Sequence, residues 1–388
     1  MSLKLQLRRI GFLLPFLTLG AVSDRTFGGI TLSRVATLSV SNGIRDIVAV
    51  GSYVYTANAS PGVSGLGIID VSVPSKPAAV TYTDGKSDSF RVTGSGGNLY
   101  VLYSDQLSIL SLSNPTNPAP IGYVRGSWNE VAISGSYAYL TAATGAVRIY
   151  DVSDPSQPAS LGSITADSST KVGPWDNFAF LTSGGLLVSD VTNPRAPVTY
   201  GPFSGYFNGL AAAEGYLYTL SYTDSFRIFD ISTATNPVET YASGWQPDAE
   251  RLAVSGNYAF LLYGFVDGIS IYDVSPVTNA PLAGSIDPHP YSATALTVSG
   301  NYMYVGCYHA LLVYCLGAPS PALSITANDS EPILSWPAPT IGFVVQESSD
   351  PKTGLWTSVT NLPLLIGTNN QVLIPAPSSN RFYRLIAK

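Results

Sequence analysis

Apolar and polar residues alternate with a period of two along most of the chain, in short runs separated by turns rich in glycine and proline. Such alternation is typical of half-buried strands. One stretch near the middle contains four runs, joined by Gly135-Ser136, a glycine-bearing turn and a proline-bounded turn: Val131–Ser134, Tyr137–Ala142, Val147–Val152 and Ala159–Ile164. This pattern predicts a four-stranded antiparallel meander.

The same unit recurs about every forty residues. Its end reads Asp-Val-Ser-x-Pro-x-x-Pro, and a triplet ending in an aromatic residue precedes that end in every copy. The first residue of the triplet is also aromatic in six copies, and the second copy has Asn98-Leu-Tyr100. The triplets run from Tyr53-Val-Tyr55 to Tyr302-Met-Tyr304. The ends lie at Asp70–Pro77, Ser111–Pro118, Asp151–Pro158, Asp190–Pro197, Asp230–Pro237, Asp273–Pro281 and Cys315–Pro321. Two independent markers in a common register establish an internal repeat of seven units.

A sheet of about forty residues cannot bury both of its faces, but stacking such sheets around an axis does bury them. We therefore predict an all-β fold with a seven-bladed β-propeller over residues 33–318. Residues 34–40 read as a strand ahead of the first complete unit, and the seventh unit lacks an obvious fourth strand. We expect residues 34–40 to complete the last blade and close the ring.

The stretch Arg148-Ile-Tyr-Asp-Val-Ser-Asp-Pro155 resembles the LVIVD repeat of exported, largely bacterial proteins. The resemblance covers roughly residues 33–318. It implies a propeller and export, and it carries no catalytic residues. Ser111 and Cys315 stand where the pattern has Asp, which brings the geometry of those two turns into question.

An aspartate precedes most of the proline-bounded turns. Its carboxylate can accept hydrogen bonds from backbone N–H groups two and three residues on, and the prolines restrict φ and remove donors. A structural role in the turn is therefore predicted for Asp70, Asp151, Asp190, Asp230 and Asp273.

From Pro319 the repeat stops, and residues 319–388 read as a second all-β module. Its Leu334-Ser-Trp336 stretch resembles the early strands of fibronectin type III-like sandwiches. Trp336 and Trp356 are interpreted as core residues. Six strands are predicted: Ala322–Ala327, Pro332–Trp336, Gly342–Glu347, Trp356–Val359, Gln371–Ile374 and Arg381–Ile386.

Residues 1–23 have the pattern of a secretory signal peptide. Lys4, Arg8 and Arg9 precede an apolar run from Ile10 to Val22, which is interrupted by Pro15 and ends in small residues. The run is shorter than the roughly 20 residues of a membrane span. We expect a protein that is secreted, periplasmic or on the cell surface, with no membrane span in the mature chain.

Composition narrows the functional classes. Charged residues are 11% of the chain, the net charge is −6 and no basic stripe is present, so we expect no nucleic-acid partner. With only two histidines and no motif for catalysis, phosphate or calcium binding, we expect no cofactor and no metal site.

Placing a turn at His309-Ala310 pairs Cys307 with Leu312 and Cys315 with Tyr304, which leaves the sulfurs out of register for a disulfide.

One set of residues does emerge from the repeat register. Nine positions before the last residue of each triplet, the innermost strands begin with Asp46, Arg91, Glu130, Lys171, Gly209, Arg251 and Ala295. These positions should form a ring at one mouth of the propeller channel. The loops beside them add Arg45, Trp128, Asn129, Tyr206, Phe207, Trp245, Gln246, His289 and Tyr291. We call the predicted site the funnel. Its charges either neutralise one another between blades or bind a ligand, and the two readings are compatible.

Three functions remain open at this point. The first is a non-catalytic extracellular or envelope scaffold, acting as a monomer, whose funnel binds a glycan or a protein. The second is a polysaccharide hydrolase or lyase using Asp46 and Glu130, although Arg91 between them should keep both carboxylates ionised. The third is a passive envelope component attached through residues 319–388.

Overall fold

The computed structural model of the protein describes most of the chain from residue 25 onward. The described residues are 25–27, 30–41, 43–58, 65–82, 86, 88–221, 225–244, 249–263, 268–317, 323–326, 333–337, 343–349, 356–359, 363–366, 369–374 and 381–387. The proposed signal peptide, residues 1–23, therefore lies outside the described residues, as do Trp245 and Gln246. No helix in the described part of the chain is long and apolar enough to span a membrane.

Within the described ranges, residues 25–317 form seven antiparallel sheets, the number that the repeat predicts. We call them blades 1 to 7, in the order in which their innermost strands follow along the chain. Blade 1 comprises Ile44–Val50, Tyr53–Asn58, Leu66–Asp70 and Ala78–Val80. Blade 2 comprises Ser89–Ser95, Asn98–Tyr103, Gln106–Ser111 and Ala119–Arg125. Blade 3 comprises Trp128–Ser134, Tyr137–Ala142, Val147–Asp151 and Ala159–Ile164.

The next three blades have the same order of strands. Blade 4 comprises Val172–Trp175, Phe178–Thr182, Leu186–Asp190 and Val198–Phe203. Blade 5 comprises Phe207–Ala213, Tyr216–Ser221, Ser225–Asp230 and Val238–Ala242. Blade 6 comprises Ala249–Ser255, Tyr258–Tyr263, Ile269–Asp273 and Leu282–Ile286.

Blade 7 joins the two ends of the repeat region. Its inner strands are Ala293–Ser299, Tyr302–Cys307 and Ala310–Gly317, and Ile30–Ser39 pairs with the last of these as a fourth strand. A further strand, Arg25–Phe27, which the sequence pattern did not predict, forms its outer edge. The innermost strand of each blade contacts those of two neighbours, and blade 7 contacts blade 1, so the ring is closed. The all-β propeller predicted from the repeat is confirmed.

The hydrophobic core lies between the blades. Tyr55 and Leu66 of blade 1 pack with Leu99 and Val101 of blade 2, and the other neighbouring pairs form equivalent clusters. The last residue of each triplet is buried in every blade, Tyr55 completely. The triplet recurs because each interface between blades needs one large side chain at this depth.

The five turn aspartates share one geometry. In each case Oδ1 accepts a hydrogen bond from the backbone N–H two residues on, at 2.8–2.9 Å: Asp70, Asp151, Asp190, Asp230 and Asp273. The Ser72 hydroxyl and backbone N–H hold the pKa of Asp70 below its usual range. Ser111 of blade 2 substitutes for the aspartate by accepting from the N–H of Ser113 at 3.2 Å.

The C-terminal residues form two small sheets. One contains Ser324–Thr326, Ile333–Pro337, Asn369–Leu373 and Leu364–Ile366, and the other contains Thr357–Ser358, Phe343–Ser348 and Phe382–Ala387. The predicted strands all appear with shifted ends, and Leu364–Ile366 was missed. Leu334, Trp336 and Val372 of the first sheet share a core with Val345 of the second. The boundary at residue 319 stays a prediction.

Two local predictions were wrong. Cys315 pairs with Tyr302 and Leu312 with Val305, because the turn of that hairpin is centred on Tyr308-His309, earlier than we placed it. Neither cysteine forms a disulfide, as the sequence predicts. The first strand of blade 3 begins at Trp128, earlier than the predicted Val131, because Trp128 pairs with Ala142.

Candidate functional site

A β-bulge sits at the start of six innermost strands in the described chain. The pairing register shifts immediately before Asp46, Arg91, Glu130, Gly209, Arg251 and Ala295. A bulge places two residues against one on the partner strand and redirects their side chains. Each bulge therefore changes the direction of the residue directly before the predicted ring position.

Glu130 is the centre of an ion-pair network across three blades. Its carboxylate accepts from Arg91 Nε at 2.9 Å and from an Arg91 terminal nitrogen at 2.6 Å, and it also accepts from Lys171 Nζ. The three side chains are 16–28% exposed. Burial by itself would favour the neutral acid, but Arg91 and Lys171 outweigh it and lower the pKa of Glu130. The network connects blades 2, 3 and 4.

Asp46 connects blades 1 and 2. Its Oδ2 accepts a hydrogen bond at 3.0 Å from the backbone N–H of Val92, next to Arg91. Burial raises the pKa of Asp46, and the charges of Arg91 and Arg251 reduce that rise. The two carboxylates therefore shift in opposite directions: desolvation outweighs the nearby cations at Asp46, and the cations outweigh desolvation at Glu130.

Arg251 is held differently from Arg91. Its guanidinium donates to the backbone carbonyl of Arg45 at 3.5 Å, and it makes no ion pair within 4 Å in the described part of the chain. Burial and the positive charge of Arg91 lower its pKa. Blade 7 lies between Arg251 in blade 6 and Arg45 in blade 1, and its ring residue, Ala295, has only a methyl side chain. Among the described residues, Arg251 is thus a cation that no carboxylate contacts directly.

A cavity of about 160 Å³ opens beside these residues, where Gly209 contributes no side chain to the ring. Its polar walls are Glu130, Lys171, Asn208, Glu250 and Arg251. Asn208 donates from Nδ2 to the carbonyl of Ala249 at 3.0 Å. Its Oδ1 is buried and has no hydrogen-bond partner among the residues that the structure describes. The cavity itself offers carboxylate acceptors from Glu130 and Glu250 and cationic donors from Lys171 and Arg251, which suits a ligand that both donates and accepts hydrogen bonds.

The aromatic rim of the predicted funnel is largely absent from this cavity. Trp128 is only 7% exposed, donates to the carbonyl of Val124 at 3.2 Å and packs edge-on against Tyr150, so its assignment as a ligand contact was wrong. Phe207 is buried in the same way. Both belong to strands rather than loops, and their pairing turns them into the core. Tyr206, in contrast, is 71% exposed.

His289 and Tyr291 do not share the channel cavity. They line a separate cavity of about 80 Å³, together with Asp287, whose carboxylate accepts from the backbone N–H of His289 at 2.9 Å. This smaller cavity shares no lining residue with the cavity at Gly209. The residues predicted to form one funnel therefore line two separate cavities.

The register count missed two residues of the channel cavity, Asn208 and Glu250. Both occupy bulge positions, one residue before Gly209 and Arg251. Strict alternation assigns one residue of such a pair to the channel and the other to the opposite face. Two adjacent polar residues at the start of a strand, as in Glu250-Arg251, are the sequence signal that indicates such a bulge.

Five stretches of the chain match the model of the LVIVD repeat: residues 44–84, 125–166, 204–242, 247–287 and 292–313. The intervening residues 85–124 and 167–203 contain blades 2 and 4, which fold like the others. No curated protein sequence matches the chain.

The fold also resembles solved structures. A crystal structure of the computationally designed Ika8 protein has a TM-score of 0.53 and 12% identity, and the match covers 73% of this chain and 99% of that one. A chain in the crystal structure of a mitotic checkpoint complex has a TM-score of 0.58 and 16% identity, with 80% and 99% covered. At these identities the likeness concerns the fold alone. The chain therefore contains LVIVD repeats and has a β-propeller fold.

Proposed function

We propose that the protein is a non-catalytic binding scaffold whose channel mouth holds part of a glycan. The observation that carries this proposal is the cavity beside Gly209, with two carboxylates and two cations in its walls. A single buried water needs only about 10–15 Å³. The cavity of about 160 Å³ is large enough for a polar group well beyond one water.

The balance of charge favours a sugar over an ion. Two carboxylates, Glu130 and Glu250, and two cations, Lys171 and Arg251, line the cavity, so their formal charges cancel. A strongly charged ligand would meet a like charge on one wall. A sugar hydroxyl both donates and accepts, so it can donate to Glu130 or Glu250 and accept from Lys171 or Arg251.

A hydrolase or lyase that uses Asp46 and Glu130 is the second candidate. The observation in its favour is that burial raises the pKa of Asp46 while Arg91 and Lys171 lower that of Glu130, the separation expected of an acid and a base. Both carboxylates, however, already have structural partners: Glu130 binds two cations and Asp46 binds the N–H of Val92. Binding without catalysis therefore accounts better for the site.

We place this scaffold outside the cytoplasm, on the pattern of residues 1–23 and on the export that the LVIVD resemblance implies. Fractionation of a host that expresses the full chain should recover a shortened product in the periplasm, medium or surface fraction. A full-length product in the cytoplasm would contradict this part of the proposal.

The binding proposal is tested with an array of neutral and charged oligosaccharides. We expect the chain from residue 24 onward to bind a defined subset, and Arg251→Gln to weaken that binding about tenfold or more, as loss of a charged hydrogen bond would. The control is Glu239→Gln, which removes an exposed carboxylate from blade 5. Failure of every sugar to bind, or equal binding by both variants, would contradict the proposal. Release of new reducing ends, abolished by Glu130→Gln, would favour the enzyme.

A further inference from the structure

A second cavity lies on the side of the ring, away from the channel. It measures about 650 Å³, against about 160 Å³ for the channel cavity, and the two share no lining residue. Its walls come from the outer parts of blades 1 and 2, with Ser156 from the turn of blade 3. We call it the side cavity. It lies outside the ring of positions that the repeat register predicts.

Three tyrosines give the side cavity its shape. Tyr103 is 2% exposed and forms part of the inner wall, whereas Tyr123 is 55% exposed on the outer strand of blade 2. The Tyr82 hydroxyl donates to the carbonyl of Pro118 at 3.1 Å, which fixes this ring against the neighbouring blade. Aromatic rings held in place beside an open space provide flat surfaces for the apolar face of a sugar ring.

The charges at the side cavity are positive. Lys86 Nζ lies 4.9 Å from the centre of the Tyr103 ring, and the Arg125 guanidinium lies 5.6 Å from that of Tyr123. The described lining residues include no Asp and no Glu. Lys86 is the one charged residue among the described lining residues, so these favour a negative group over a positive one. Gln106 adds an amide that donates to Ser108 Oγ at 2.7 Å.

The edge strand beside the side cavity is unsuited to an added peptide strand. Pro118 and Pro120 lack N–H donors, and a bulge at Ile121 breaks the register of Ala119–Arg125. Proline and bulges at a sheet edge prevent strand addition. A peptide would lose backbone hydrogen bonds here, whereas a sugar does not need them.

We propose that the side cavity binds an acidic glycan, stacked on Tyr123 and with a carboxylate near Lys86. The site is independent of the one proposed at the channel mouth. A chain of uronic acid residues combines the two required features, a sugar ring with an apolar face and one carboxylate per ring.

The test uses a short oligogalacturonate and a neutral cello-oligosaccharide of the same length, titrated calorimetrically into the chain from residue 24 onward. We expect only the oligogalacturonate to bind. Tyr123→Ala should weaken it about tenfold through lost stacking. Lys86→Gln should weaken it and reduce its dependence on salt. The matched control is Tyr200→Ala, an exposed tyrosine on the outer strand of blade 4.

Each outcome decides the proposal. The proposal would be overturned if the oligogalacturonate did not bind or if the neutral oligosaccharide bound equally well. It would also be overturned if Tyr200→Ala weakened binding as much as Tyr123→Ala does. If Arg251→Gln weakened oligogalacturonate binding and Tyr123→Ala did not, the binding would be assigned to the channel instead. Loss in Tyr123→Ala and Lys86→Gln, with Arg251→Gln unchanged, would support the side cavity whatever the fate of the channel proposal. Circular dichroism of each variant establishes that it is folded.

Discussion

Thr294 of blade 7 donates a hydrogen bond from Oγ1 to the backbone carbonyl of Ile44 in blade 1, at 2.5 Å. The two residues are 250 positions apart in the chain, and the contact lies where the ring closes. Two other bulge residues form the same kind of link: Arg45 donates to the carbonyl of Ser89 and Asn208 to that of Ala249. In each pair the acceptor belongs to the next blade and stands directly before its own bulge. The bulges therefore bind neighbouring blades together.

Thr294→Val is expected to weaken the closure of the ring. Valine has nearly the same shape but cannot donate, so the carbonyl of Ile44 loses its partner at a partly buried position. We expect the free energy of unfolding to fall by about 1–3 kcal/mol in urea denaturation. The control is Thr297→Val on the same strand, since the Thr297 side chain makes no hydrogen bond among the described residues. Equal losses in both variants would show that Thr294 has no special part in closure.

Glu130→Gln is expected to destabilise the inner ring. The substitution leaves Arg91 and Lys171 as neighbouring cations without their shared carboxylate. We expect a loss of about 1–3 kcal/mol, less than for a fully buried pair because water reaches these side chains. Glu239→Gln, which breaks a more exposed pair with Arg227, should cost about 0–1 kcal/mol. A larger loss in Glu239→Gln would contradict this account.

The two ring carboxylates should give stability opposite dependences on pH. Because the pKa of Glu130 is lowered on folding, its contribution is present above its ordinary value of 4.5 and is lost as the pH falls through the folded value. Because the pKa of Asp46 is raised above 3.8, the folded state there binds more protons, and stability falls as the pH rises through that window. Unfolding of Glu130→Gln and Asp46→Asn should be followed from pH 3 to pH 7. If both substitutions changed the pH dependence of the free energy of unfolding in the same direction, the opposite roles of the two carboxylates would be ruled out.

The turn aspartates should tolerate asparagine better than alanine. An Asn at position 190 can still accept from the N–H of Thr192, which Asp190 now does at 2.9 Å, whereas Ala leaves that donor to water. We expect Asp190→Ala to melt at a lower temperature than Asp190→Asn in thermal unfolding. If both variants melt together and below the parent, the charge rather than the hydrogen bond matters.

The two cysteines should differ in reactivity. Cys307 is fully buried, and burial raises the pKa of its thiol to about 12, so it is neutral and shielded at neutral pH. Cys315 is partly exposed. An alkylating reagent should therefore modify only Cys315 in the native protein and both residues after denaturation. Mass spectrometry of the native protein and of Cys315→Ser checks this, and label on native Cys307 would contradict the packing of blade 7.

The repeat and the propeller could be predicted from the sequence, because both follow from local periodicity. The pairing of the first strand with the last could also be predicted, because the seventh unit lacks a fourth strand of its own. Alternation defines each strand, the triplets place one aromatic side chain between each pair of blades, and the Asp–Pro turns set the spacing. These signals are repeated in every unit, so an irregular copy such as the one at Ser111 does not obscure them.

Only the tertiary structure decided which side chains reach the channel. A bulge shifts Asn208 and Glu250 into the cavity, and pairing with Ala142 turns Trp128 into the core, although alternation alone predicts otherwise. The side cavity depends on how the outer edges of blades 1 and 2 meet, which no single repeat encodes. Strand identity is a property of neighbouring residues, whereas the surroundings of a side chain depend on parts of the chain that only folding brings together.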